Sequence, residues 1–232
     1  MVSLLLLLAC TPTVGTVEGT VLVGPGELGS PLSGGTVTIL SDDAVPFDST
    51  TTDRDGRFSA NAPLGLNIFA RIEGDGMIPS IFSGTMGQGT FEIRPGEVFA
   101  WPESDRAALD EAFGDCSLPG SVITGEVRLF GTTDPDTGES PLLQTAFAWV
   151  ETADGERIDA CYLDESGAWA PDAALAGPDA RYAIFGLDKG FYTLVYGYLL
   201  PDDSPIEHRL DLYVEENSIA PQYPAWADLY AP

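Results

Sequence analysis

Basic side chains are scarce in this chain. Ten Lys and Arg stand against 36 Asp and Glu, for a formal charge of −26 at pH 7. Nucleic acid and anionic membrane surfaces are both held by Lys and Arg, so this balance excludes nucleic-acid binding and electrostatic adhesion to a bilayer. Histidine occurs once, as His208, and the three cysteines, Cys10, Cys116 and Cys161, lie far apart. A zinc centre needs a Cys/His ligand set and a hydrolase triad normally needs a histidine base, so neither has its parts. His208 falls on the apolar face of an alternating segment, where a structural, half-buried histidine is expected. No G-x-S-x-G elbow occurs, and the glycine-rich Gly84–Gly89 lacks the Lys and Ser/Thr of a phosphate loop. With 36 carboxylates, chance acidic pairs carry no catalytic signal, and the expectation is that the chain is not an enzyme.

What is present is β-forming sequence cut into short pieces. The 232 residues are 44% hydrophobic and carry 26 Gly and 18 Pro, which argue against long helices and for strands joined by turns. Strand patterns run over 16–23, 36–40, 66–72, 90–94 and 97–101, with an Asp/Gly turn at 53–56 leading into Phe58. Between them and the second half lies Pro102–Cys116, whose polar start, helix formers and Gly114 stop predict a short helix with Leu109, Ala112 and Phe113 on one face. The second half repeats the outline: strands are expected at 121–130, 146–150, 179–185, 190–197 and 206–215. In the last, Ile206, His208, Leu210, Leu212 and Val214 alternate with Glu207, Arg209, Asp211, Tyr213 and Glu215. Residues 117–232 hold 20 acidic and 5 basic side chains, a net of −15, so the acid is concentrated there.

The N-terminus carries an address. Leu4 to Leu8 is a run of leucines ending in Leu7-Leu8-Ala9-Cys10, which resembles a bacterial lipobox. The run is far shorter than the ~20 apolar residues that span a bilayer. The resemblance implies removal of residues 1–9, a diacylglycerol on Cys10 and a short tether over 10–15. No Lys or Arg precedes the leucines, unlike an ordinary signal, and an ordinary signal or a fortuitous leucine run with a structural Cys10 is the competing reading.

Each half also resembles the carboxypeptidase regulatory-like domains, which share a transthyretin-like β-sandwich with collagen-adhesin B-type repeats. The marks are an opening strand with an internal glycine (Val17-Glu18-Gly19-Thr20-Val21 and Ile123-Thr124-Gly125-Glu126-Val127), the turn Thr52-Asp53-Arg54-Asp55-Gly56-Arg57-Phe58, and the turn Gly186-Leu187-Asp188-Lys189-Gly190-Phe191-Tyr192-Thr193-Leu194. Neither half has every mark. The first has Ala62-Pro63-Leu64-Gly65 where the second turn belongs, and Ala180 stands for a glycine in the second. The resemblance implies an all-β chain of two transthyretin-like or Ig-like sandwiches, 16–101 and 117–232, joined by the helical segment 102–116. It also implies a structural or binding module without a peptidase centre. The Lys–Asn crosslink of some adhesin repeats is not expected, because the sole lysine, Lys189, lies in a turn.

With Cys10 assigned to lipid, Cys116 and Cys161 form an even pair that a bridge would close, two buried free thiols being the alternative. Asp134, Asp136 and Glu139 begin like a calcium loop but lack its later ligands, and Asp42, Asp43, Asp53 and Asp55 could converge. Good turn chemistry explains the same residues without an ion. The aromatic residues of the second half serve either the core or an exposed glycan-binding strip. The expectation is thus a lipid-anchored protein of the bacterial cell envelope, outer membrane foremost, acting as a non-catalytic binding or scaffold module toward an envelope protein or glycan. The alternative is a carbohydrate-binding accessory of an outer-membrane uptake system.

Overall fold

A computed structural model describes residues 14–24, 29–86, 90–92, 98–130, 143, 145–164, 166–177 and 180–228. The first half supplies β1 (Val14–Thr20), β2 (Leu22–Val23), β3 (Ser30–Pro31), β4 (Thr36–Leu40), β5 (Pro46–Thr51), β6 (Arg57–Pro63), β7 (Asn67–Glu73), β8 (Met77–Ile78), β9 (Ser80–Thr85), β10 (Thr90–Glu92) and β11 (Phe99–Pro102). Helix α1 (Glu103–Phe113) and a single 3-10 turn, Gly114–Cys116, follow. The second half supplies β12 (Ser121–Phe130), β13 (Ala146–Thr152), β14 (Arg157–Asp159), β15 (Cys161–Tyr162), β16 (Arg181–Leu187), β17 (Gly190–Leu199), β18 (Pro205–Val214) and β19 (Ile219–Asp228). The chain is all-β apart from the helical connection, as its breaker-rich composition dictates.

Each half is a two-layer sandwich. In the first, β10-β1-β6 faces β9-β7-β4-β5, and Val17, Ala60 and Ala62 of one layer meet Val37, Ile39, Ile68 and Ile72 of the other. In the second, β15-β16-β12-β19 faces β14-β13-β17-β18 around Ile123, Val127, Val150, Tyr182, Ile184, Leu194 and Leu212. Period-2 burial, such as Phe58, Ala60 and Ala62 inward on β6, lets a half-polar strand serve a core. Each fully buried Ile, Leu or Phe contributes roughly 1.5–3 kcal/mol.

The opening strand expected over 16–23 divides. β1 pairs with β6 and β10, whereas β2 pairs with β3 and β11 in a separate small sheet. Val21 lies between them, fully buried, its N–H bonded to the Gly56 carbonyl at 2.9 Å. Gly56 has φ +75°, and a Cβ there would sit 2.5 Å from the Val21 carbonyl oxygen, so the Asp/Gly turn needs its glycine for conformation and for space. Asp53 closes that turn by accepting the N–H groups of Asp55 and Arg57.

The halves are not beads on a helix. The eight-stranded sheet runs β15-β16-β12-β19-β9-β7-β4-β5, so one layer of each sandwich is continuous with the other, joined where Ile219 of β19 meets Ser80 of β9. Two apolar clusters straddle the junction. Phe99, Trp101, Phe113, Val122, Phe185 and Ile219 pack together under α1, and Leu40, Phe69 and Ile81 close on Tyr213. Helix α1 is tied to both sides. The Glu103 N–H reaches the Gly76 carbonyl, while Arg106 pairs with Asp110, donates to the carbonyls of Gly120 and Leu118, and lies over the Phe185 ring. A disulfide joins Cys116 to Cys161 across a sequence separation of 45 residues, pinning the end of the helical segment to β15 at the edge of the long sheet.

Candidate functional site

The β14-β13-β17-β18 sheet turns Ala148, Val150, Tyr192, Leu194, Tyr196, Tyr198, Leu210 and Leu212 toward the core. Its other face therefore carries Phe147, Trp149, Glu151, Arg157, Asp159, Phe191, Thr193, Val195, Glu207, Arg209, Asp211 and Tyr213. On this face Phe147 stacks on Trp149 at 5.3 Å between ring centroids, and the Arg157 guanidinium lies 4.0 Å from the Trp149 ring centroid. Strand register puts Phe147 before Trp149 along the strand and Arg157, opposite Glu151, beyond it. Gly197 lies opposite Phe147 in the register, and a Cβ there would fall 2.9 Å from the Phe147 ring. Arg209 is ion-paired with Glu151, Arg157 bonds Asp159 at 2.6 Å, and Thr193 donates to Asp211 at 3.1 Å. Val195, although on the outer face, is completely buried beneath its row neighbours Trp149 and Arg209.

At one end this face meets the first sandwich. Phe69 of β7 contacts Phe191 and Tyr213 with centroids 6.0 and 5.7 Å away, and Phe191 is 45% exposed at the rim. Beside the contact, Glu215 accepts from the Tyr213 hydroxyl at 2.9 Å, is ion-paired with Lys189, and lies 3.8 Å from Arg71 of the first half. Burial works to raise the Glu215 pKa, but the hydrogen bonds from Lys189 and Tyr213 outweigh it and hold the carboxylate below its usual range. The same bond from Glu215 raises Lys189. Further along, the two sandwiches part into a cleft of about 190 Å³ lined by Asn67, Ser83 and Gly84 on one side and Arg209, Leu210 and Asp211 on the other.

His208 stacks on Tyr196 at 5.4 Å on the apolar face of β18. Asp42, Asp43, Asp53 and Asp55 occupy turns, and among the described residues no group of three or more His, Cys, Asp or Glu side chains could hold a metal ion. Asp134, Asp136 and Glu139, like Cys10 and residues 1–9, lie outside the described residues. Tyr162 is pushed up to about 12 by burial, and its hydroxyl donates to the Ala148 carbonyl while accepting that residue's N–H, a bridge between β15 and β13. Ala180, where the resemblance expects glycine, adopts φ 50°, the left-handed backbone a glycine would take. Sequence reasoning missed β3, β5, β8, β9, β14 and β19, and with β9 one wall of the cleft. β9 reads Ser80-Ile-Phe-Ser-Gly-Thr85, with no sustained alternation to mark it.

No family model and no curated protein sequence matches the chain. Among solved structures it is similar to the TIE protein of Bacillus anthracis at 13% identity and a TM-score of 0.31, covering 90% of this chain and 33% of that one. The shaft pilin SpaA of Lactobacillus rhamnosus GG is 13% identical with a TM-score of 0.30, over 95% of this chain and 100% of the pilin. A minor pilin of Streptococcus agalactiae is 12% identical with a TM-score of 0.32, over 94% and 98%. The chain thus spans about a third of the Bacillus anthracis protein. The all-β architecture rests on the strand pairing itself. Among the described residues no helix is long and apolar enough to cross a membrane.

Proposed function

We propose that this chain is a non-catalytic binding or scaffold module of the bacterial cell envelope, tethered through lipid on Cys10, with the outer membrane as its site. Two sandwich units, 16–101 and 117–232, act together through the segment 102–116. The observation that carries the reading is the Cys116–Cys161 disulfide at the junction of the two sandwiches, since bridges of this kind persist in oxidising, extracytoplasmic compartments. The leucine run ending at Cys10 supplies a route there. The strongly acidic surface leaves a lipid, rather than charge, to hold the protein at a bilayer. The reading includes no cofactor. The glycan alternative draws little from Trp149, whose ring is already engaged by Phe147 and Arg157.

The test is the intact mass of the protein extracted with detergent from a bacterial host, before and after reduction. A species beginning at Cys10, carrying acyl groups and gaining two hydrogens on reduction, supports the proposal. An unacylated chain with free thiols overturns it.

A further inference from the structure

The two halves share one architecture, strand for strand. β10-β1-β6 and β9-β7-β4-β5 of the first return as β19-β12-β16 and β18-β17-β13-β14 of the second, with the same parallel and antiparallel neighbours. Two shared details fix which residues correspond. In the turn after β4, the Ser41 N–H donates to the Val45 carbonyl and the Ser41 hydroxyl accepts the Val45 N–H; Thr152 and Glu156 close the turn after β13 with the same two bonds. In the other layer, the Val21 N–H donates to the Gly56 carbonyl as the Val127 N–H does to that of Ala180. From these points strand register carries the correspondence across both sheets.

The halves nevertheless dock through unlike faces. The first presents Leu40, Phe69 and Ile81 from the outside of β4, β7 and β9, and the second presents Phe191, Tyr213 and Ile219. Such a contact is heterologous, so the same step taken again would lay a further sandwich on the outside of β13, β17 and β18. There the register positions of Leu40, Phe69 and Ile81 are held by Glu151, Thr193 and Arg209. Leu40, Phe69 and Ile81 are buried, whereas the side chains of Glu151 and Arg209 are 32% and 52% exposed and ion-paired with each other. In the first half, the positions of Phe191, Tyr213 and Ile219 are held by Asn67, Thr85 and Thr90.

We propose that the outer face of β13, β17 and β18 is a closed docking surface, on which Glu151, Thr193 and Arg209 bar a further copy of this sandwich. Seating a copy there would strip water from two charges and supply neither with a new partner, which Leu40 and Ile81 do not require. A second copy of the whole chain also lacks the matching apolar face, because Asn67, Thr85 and Thr90 stand in its place. The inference goes beyond the reading of the chain as a binding or scaffold module and involves neither Cys10 nor lipid, so either can fail without the other.

The experiment exchanges the two triads within the full chain: Leu40→Glu, Phe69→Thr and Ile81→Arg together with Glu151→Leu, Thr193→Phe and Arg209→Ile. The second half then carries the docking face and its match, Phe191, Tyr213 and Ile219, so second halves should stack on one another. Sedimentation velocity over a wide concentration range should show the parent as a monomer and the exchanged chain at a mass that rises with concentration. Exchange of the first triad alone should leave a monomer. If the sixfold variant loses its β circular dichroism, the fourfold exchange at Leu40, Ile81, Glu151 and Arg209 carries the test. A folded exchanged chain that stays monomeric, association of the first-triad control, or a parent that associates with amide exchange slowed at Glu151, Thr193 and Arg209 overturns the proposal.

Discussion

Phe69 tests whether the two sandwiches are one cooperative body. It is 2% exposed, and its ring lies against Phe191 and Tyr213 of the other half. Phe69→Ala removes a buried aromatic side chain from a junction that cannot fully collapse, and should cost about 3–5 kcal/mol. Tyr213, 3% exposed in the same cluster, should cost a similar amount as Tyr213→Ala. Because the two rings touch, their losses should not add: the double variant should be milder than the sum by about 0.5–1.5 kcal/mol, the usual worth of an aromatic pair beyond its buried area. The assay is guanidinium unfolding of the four proteins at equilibrium, with amide exchange following each half. Coupled halves predict that Phe69→Ala raises exchange in β17 and β18 as well as in β7. Additive costs, or a Phe69→Ala whose exchange changes stop within the first half, would refute the reasoning.

Reducing the Cys116–Cys161 bridge frees a loop of 45 residues, for which the chain-entropy estimate is about 4 kcal/mol of stability, and a drop of less than about 1 kcal/mol on reduction in a denaturant titration would show that the unfolded chain is constrained by other means. Gly197→Ala places a methyl against the Ile206 carbonyl and the Phe147 ring, so it should destabilise by about 1–3 kcal/mol and loosen the Phe147–Trp149 stack, read by near-ultraviolet circular dichroism. Glu215 is depressed in the folded state, so its contribution is present above the unfolded carboxylate pKa and is lost as pH falls through the folded value. Glu215→Gln should therefore be the less stable protein near neutrality and converge with the parent once the pH has fallen through the lowered pKa of the folded carboxylate, and parallel curves of stability against pH would sink this reading.

Much of this molecule is legible in its sequence. Alternation fixed the inward and outward residues of β17 and β18, because side chains on a strand must point to opposite sheet faces. Likeness to the opening strand of the first half predicts one strand over Ser121–Phe130, and β12 has those bounds. The helix over Glu103–Phe113 followed from its formers and from the glycine that stops it. Composition limited the chain to short strands and withheld the ligands of zinc chemistry. The two cysteines besides Cys10 pointed to one bridge, and Cys116 and Cys161 are joined.

Only the tertiary structure decided how the halves relate. Nothing local in Phe69, Phe191 and Tyr213 says that they meet, since each reads as an ordinary sheet aromatic and their contact depends on two strands far apart in sequence. The single pairing of Ile219 with Ser80 makes one sheet of two. An edge is a property of strand order, and strand order is set by long-range packing rather than by the residues of the strand itself. The sequence alone therefore specified what this protein is made of and which chemistry it lacks, while the packing of one sandwich against the other created the cleft.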